Sequence, residues 1–300
     1  MRQTNVGASG LRVSQLGLGT STWGNTTATG EAEKILRRFL GAGGTLLNTS
    51  PGAPEEVLGA LLDVHSRPDL IISSAAGVHP SLPVGRRVDC SRRALLSQLD
   101  RTLLTLGTDY LDIWSVGYWD AATPPQEVAD TLDFAVRTGR VRYAGVRGYA
   151  GWQLAVTAAH CQIVAAQEEF NLLVRRPEEE LLPATEHLGV GFFAGAPLAQ
   201  GVLTGKYRDS RPAGSRGARG PEVDGYLEER SDAIVAALTT AAEGLGITPA
   251  AAAIAWARDQ DGVTSAIVGA RSEEQVAEAL EADAVALPAS IMAALTEISH

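Results

Sequence analysis

Residues 45–59 read T-L-L-N-T-S-P-G-A-P-E-E-V-L-G. An apolar run leads through a tight Pro/Gly turn into an acidic helix start, where Pro54 suits the first helical position. This strand–turn–helix unit recurs along the chain. Short apolar runs stand at 14–19, 45–49, 70–75, 110–116, 141–146, 163–168, 189–194 and 264–268. Helical patterns lie between them at 31–40, 55–64, 92–106, 125–138, 151–159, 177–188, 230–245 and 273–280. Ser91 is placed to cap the helix at 92–106. Eight such units predict an α/β chain folded as a (β/α)8 TIM barrel, one domain over residues 1–300. An open doubly wound sheet would carry a glycine fingerprint after its first strand, and G-L-G-T-S-T-W-G is only a superficial match.

Outside the repeating units, residues 2–13 contain two Gly turns and predict an N-terminal hairpin capping one barrel mouth. Residues 287–298 read as an extra C-terminal helix. The longest connection, 197–229, is rich in Gly, Pro and Arg at its centre and reads as a solvated, mobile lid rather than a binding patch. Neither an internal repeat nor a linker divides the sequence.

Composition narrows the function classes. Hydrophobic residues make up 45% and charged residues 20%, ordinary for a globular chain. The net charge of −10 argues against nucleic acid or an anionic membrane as partner and leaves a small molecule. No apolar run approaches the ~18 residues of a membrane span, and the first residues hold no apolar signal core, so a cytoplasmic location is expected. Cys90 and Cys161 stand far apart without CxxC spacing, as in a reduced protein. His65, His160, His187 and His300 sit at no ligand spacing, so no metal is expected. A Schiff base would have to use Lys206, since the other lysine is Lys34.

In a barrel of this kind the site lies where strands end and the following loops begin. There the chain resembles the aldo-keto reductase superfamily. The resemblance rests on G-L-R-V-S-Q-L-G-L-G-T-S-T-W-G from residue 10, D-Y-L-D-I-W from 109 and Q-E-E-F-N-L-L from 167. P-L-A-Q-G-V-L-T-G-K-Y from 197 and I-V-G-A-R-S-E-E-Q from 267 complete it. It implies NADP(H) at the C-terminal mouth and reduction of an aldehyde or ketone. The nucleotide would lie on Gly19, Thr20, Gln167, Pro197, Leu198, Gly201 and Lys206, with its adenosine phosphate on Gly269, Arg271, Ser272, Gln275 and Glu278.

The resemblance fails at the reacting groups. The family uses an Asp, a Tyr proton donor, a Lys that lowers the phenol's pKa, and a His that orients the carbonyl. The matching places are Asn48, a turn too short to hold the Tyr, Ala75 and Gly117. A Ser-Asn pair that holds the nicotinamide becomes Arg147-Gly148, and a stacking aromatic becomes Gly195. The shortened turn is expected to widen the pocket where the acid would stand. Candidate reacting groups are Arg147, Tyr118, His79 and Asn48, with Trp23, Trp119 and Tyr149 as a substrate-pocket rim. Arg147 either pins a substrate carboxylate or enolate, or pairs with Glu168 or another carboxylate and only fills space. Glu168 is expected to point away from the pocket, opposite Gln167 along the strand.

Loss of the whole catalytic set favours non-reductive chemistry, of dehydratase, lyase or cyclase type, in bacterial secondary metabolism. The alternatives are an NADP(H)-binding regulatory protein and an NADPH-dependent carbonyl reductase with a rebuilt proton donor.

Overall fold

The computed structural model describes the chain except residues 63–64, 80–81, 84–86 and 209, and except the side chain of Glu222. The ends of the helical pattern at 55–64 and of the site loop at 75–80, and one residue of the Arg-rich connection, lie outside the described residues.

A hairpin opens the chain, β1 (Gln3–Asn5) pairing antiparallel with β2 (Arg12–Ser14). Eight parallel strands then close a barrel. They are β3 (Leu16–Gly19), β4 (Leu46–Asn48), β5 (Ile71–Ala76), β6 (Leu111–Gly117), β7 (Val141–Arg147), β8 (Ile163–Glu169), β9 (Gly191–Gly195) and β10 (Val263–Gly269). β10 returns to pair with β3, so no sheet edge is left open. Inside the lumen, Leu46, Ile113, Val164, Phe193 and Ile267 pack with Val6, Leu11 and Val13 of the hairpin. The hairpin is therefore a plug, and each buried aliphatic side chain in it contributes roughly 1.5–3 kcal/mol.

The outer layer begins with α1 (Thr29–Gly41), α2 (Ala53–Leu62), α3 (Arg92–Leu106), α4 (Pro125–Arg137), α5 (Gly151–Ala158) and α6 (Leu181–Leu188). α3 shows why these segments are helical. Ser91 Oγ accepts from the Ala94 amide, Leu95, Leu99, Thr102 and Leu106 recur on the buried face, and Gly107 ends the helix at φ 65°. Further on come α7 (Arg216–Arg219), α8 (Glu229–Leu245), α9 (Pro249–Arg258), α10 (Glu273–Glu281) and α11 (Ala289–Ile298), the expected C-terminal helix.

Two expectations need correction. The seventh unit's helix is α9, not 230–245: α9 packs on β10, and α8 lies outside it, between α9 and α11. α9 escapes a pattern search because every residue from Ala250 to Arg258 is buried, in A-A-A-A-I-A-W-A-R, so it has no exposed face to set a period. The segment 177–188 is also broken, into a single 3-10 turn at Arg176–Glu178 followed by α6.

Close helix packing makes a test. A Cβ at Gly59 of α2 would stand 2.4 Å from the Thr105 carbonyl oxygen of α3, whereas Gly30 of α1 has nothing within 4 Å. Gly59→Ala should lower stability by about 1–3 kcal/mol. Gly30→Ala should leave it unchanged or raise it by up to about 1 kcal/mol. Thermal melts of both variants check the pair, and equal effects would contradict the packing.

Candidate functional site

The C-terminal ends of the strands open into a cavity of about 640 Å³. Gly19, Asn48, Arg147, Gln167, Gly195 and Gly269 bring it the ends of β3, β4, β7, β8, β9 and β10. Pro197, Leu198, Gly201 and Lys206 form one wall, and Arg271, Gln275 and Glu278, around the start of α10, form another. Of the residues assigned to a nucleotide, only Thr20 and Ser272 do not line this cavity. Thr20 is fully buried and donates to Thr49 Oγ1 at 2.9 Å. Ser272 caps α10, accepting from the Gln275 amide at 3.3 Å.

The wall after β9 is strained. Ala196, Ala199 and Gln200 adopt φ of 47°, 46° and 58°, a left-handed region that side chains avoid. Such strain, concentrated beside a cavity, is typical of a ligand-binding loop.

Positive charge gathers at this distal end. Lys206, Arg216 and Arg271 line the same cavity. Burial lowers the Lys206 pKa, and the nearby Arg271 and Arg216 add to the effect. Burial also lowers Arg271, with Arg219 and Arg216 adding to it. Cations crowded against their own charge form a site for an anion. Arg216 comes from α7, in the connection read as a solvated lid. That reading is corrected: Ser215 caps α7, the Tyr207 hydroxyl accepts from the Gly217 amide, and Arg271 donates to the Gly214 carbonyl at 2.9 Å. The segment is folded against the cavity, and Arg216 is a wall residue the sequence reading missed.

At the proximal end Asn48 Nδ2 donates to Gln167 Oε1 at 2.6 Å. Arg147 reaches from the end of β7 across the mouth, donating through Nη1 to the Thr49 carbonyl at 3.2 Å and through Nη2 to Ser73 Oγ at 3.1 Å. Its Nε is buried without an acceptor. Burial pushes the guanidinium down to about 10, partly opposed by the field of Glu55. Among the described residues no carboxylate forms an ion pair with Arg147, so the space-filling pairing with Glu168 or another acid does not occur. Glu55 itself, only 2% exposed, accepts from Ser74 Oγ at 2.6 Å and from Thr102 Oγ1 at 3.1 Å. Burial raises its pKa. The sequence reading assigned this acid no role in the site; its only signal is its place in the first turn of α2, just past the turn after β4.

A second cavity of about 450 Å³ adjoins the first, sharing Arg147, Gln167, Gly195 and Ala196. Pro51, Ala75, Gly117 and Tyr118 help to line it. The turn after β4 thus contributes a wall, and the guanidinium of Arg147 is anchored beside it. Glu168 also lines this cavity, contrary to the alternation argument, because the cavity sits over the end of β8 and meets Gln167, Glu168 and Glu169 together. Tyr118 is 57% exposed at φ 67°, and its ring lies over Gly148, where a Cβ would come within 2.8 Å of it.

Other candidates fall away from the site. His79 accepts at Nε2 from Gln98 at 2.7 Å, while Gln98 Oε1 takes the Gly77 amide, so that imidazole nitrogen is committed outside both cavities. Trp23 is fully buried in the core and is not a rim residue. Trp119 and Tyr149 pack edge-to-face at 5.7 Å, with Trp152 at 5.0 Å from Trp119, and line neither cavity. Packing on one another claims these rings. Among the described residues no cluster of His, Cys, Asp and Glu could hold a metal. None of the described helices is long and apolar enough to cross a membrane by itself. Burial pushes the free thiols of Cys90 and Cys161 up to about 12, which makes both poor nucleophiles.

The sequence model of the Aldo/keto reductase family matches residues 15–300. The chain is similar to an L-glyceraldehyde 3-phosphate reductase of Escherichia coli O157:H7, 34% identical over 94% of this chain and 87% of that one. A probable voltage-gated potassium channel subunit beta of Oryza sativa subsp. japonica is 32% identical over 94% of this chain and 91% of its own. An uncharacterized oxidoreductase of Bacillus subtilis, YrpG, is 29% identical over 99% and 96%.

The buried Glu55 predicts a pH effect. Its pKa is higher in the folded chain than in the unfolded one, so the folded chain holds that proton longer and stability falls as pH rises through the interval. Glu55→Gln removes this term. Thermal melts from about pH 4 to about pH 7 should show the variant gaining on the wild type as pH rises. A constant difference would contradict the assignment.

Proposed function

The chain belongs to the aldo/keto reductase family, and on that premise we propose that it is an NADP(H)-dependent reductase of small carbonyl compounds in which the fixed charge of Arg147 takes the place of a proton-donating side chain. The observation that carries this reading is the guanidinium held on the Thr49 carbonyl, just past β4, and on Ser73 Oγ, within β5 and level with the end of β4. Those are the strands from which the family's Asp, Tyr and Lys act.

The residues present suit the nucleotide's phosphate end. Lys206, Arg216 and Arg271 offer the charge a 2′-phosphate needs, next to the N-terminus of α10. Bound NADPH supplies a hydride. The chain's part is to hold the phosphates and to place a fixed positive charge beside the carbonyl oxygen. A preorganised cation in a water-poor site stabilises the developing oxyanion, an effect of the order of 10²–10³ in rate for one donor. The proton then comes from solvent at the open mouth, because no phenol stands in the family position.

Dehydratase or lyase chemistry needs a free base, and the acids nearby are engaged. Glu55 binds Ser74 and Thr102, Glu169 binds Tyr226 and Asn171, and Glu168 holds the Glu169 amide. A regulatory, nucleotide-binding role is the second reading, supported by the departures at Asn48, Ala75 and Gly117 and by similarity to proteins named as channel subunits.

Fluorescence titration and a carbonyl panel test the proposal. NADPH should bind more tightly than NADH, and Arg216→Ala with Arg271→Ala should weaken NADPH about ten-fold or more while leaving NADH nearly unchanged. A panel of aldehydes, ketones and oxo acids should produce steady NADPH oxidation. Binding with no oxidation by any member favours the regulatory reading, and no binding at millimolar nucleotide removes both.

A further inference from the structure

We infer that the second cavity takes a carbonyl compound bearing a carboxylate next to the carbonyl, a 2-oxo acid, with the carboxylate seated on Arg147. This rests on the reductase reading and names its substrate class.

Arg147 faces both cavities, and among the described residues its polar partners are a carbonyl oxygen and a hydroxyl. Neither neutralises it. Glu55, the acid whose field it feels, is turned to Ser74 and Thr102 and forms no ion pair with it. Burial also favours the neutral form of Glu55. The acids lining the second cavity do not answer the charge either. Glu168 holds the Glu169 amide at 3.0 Å and feels Arg176 rather than Arg147. Glu169 accepts from the Tyr226 hydroxyl at 2.7 Å and from Asn171 at 3.1 Å. A desolvated guanidinium with no ion-pair partner among the described residues is built for an anion from outside, and its planar fork matches a carboxylate.

The surroundings select the rest of the molecule. Pro51, Ala75, Ala76, Val78 and the Tyr118 ring give the cavity an apolar side suited to an aryl or alkyl group. In a 2-oxo acid the carboxylate and the reacting carbonyl are adjacent, so one guanidinium can face both. The step balances as reduction to a 2-hydroxy acid. The C=O π bond breaks, a hydride from NADPH forms the C–H bond, and a solvent proton adds to oxygen.

Calorimetric titration of the full chain with phenylglyoxylate and with its neutral methyl ester, with and without NADP⁺, tests this. The wild type should bind the acid about ten-fold or more tightly than the ester. Arg147→Gln should abolish the preference, and Arg147→Lys should keep part of it. Equal binding of acid and ester by the wild type, no binding of either at millimolar concentration, or a preference surviving in Arg147→Gln would each overturn the proposal. Should Arg147→Gln not fold, the wild-type ratio and Arg147→Lys decide it. Acid-selective binding without NADPH oxidation would sink the reductase reading alone. Oxidation with neutral carbonyls and no acid preference would sink this proposal alone.

Discussion

The site depends on one guanidinium crossing the barrel mouth. Arg147 starts at the end of β7 and is tied to the Thr49 carbonyl and Ser73 Oγ on the far side. That reach is possible because neighbouring positions are small. Ala75 and Gly117 line the space beside it, and the turn after β4 is short. A lysine at residue 75 or a longer turn would compete for the same volume. Small residues at 75 and 117 and the short turn after β4 together leave room for the Arg147 guanidinium. Arg147 also stays charged at neutral pH even after burial pushes it down to about 10.

The other half of the site is held by backbone rather than by a single side chain. The left-handed residues after β9 turn the chain over the first cavity, and α7 is folded down by its Ser215 cap and by the Arg271 bond to Gly214. These contacts bring Lys206, Arg216 and Arg271 to the same cavity against their mutual repulsion. The burial and crowding that lower the Lys206 and Arg271 pKa values are the cost of that arrangement, and a bound anion would relieve it.

Much of the fold was legible in the sequence because barrel strands are short apolar runs punctuated by Gly and Pro, and because α3 carries its own cap and period. The helix α9 was not legible, since a segment buried on every side has no polar face to reveal its turn. The cavity walls around Pro197 and Gly269 were readable from local motifs. The proximal end was not, because its organisation is tertiary. Nothing in the neighbourhood of residue 147 announces that its side chain ends beside Thr49 and Ser73. Nor does the sequence say that Trp23 is sealed in the core while Trp119 and Tyr149 pack on each other. Alternation misplaced Glu168 because it describes a strand's faces, not its end.

The most direct test of Arg147 as the rebuilt electrophile is the rate of NADPH oxidation by Arg147→Gln with a carbonyl substrate that the wild type reduces, alongside its NADPH affinity. The account predicts a fall of the order of 10² or more in kcat/KM with nucleotide affinity unchanged within about three-fold. Turnover near the wild-type rate would contradict it.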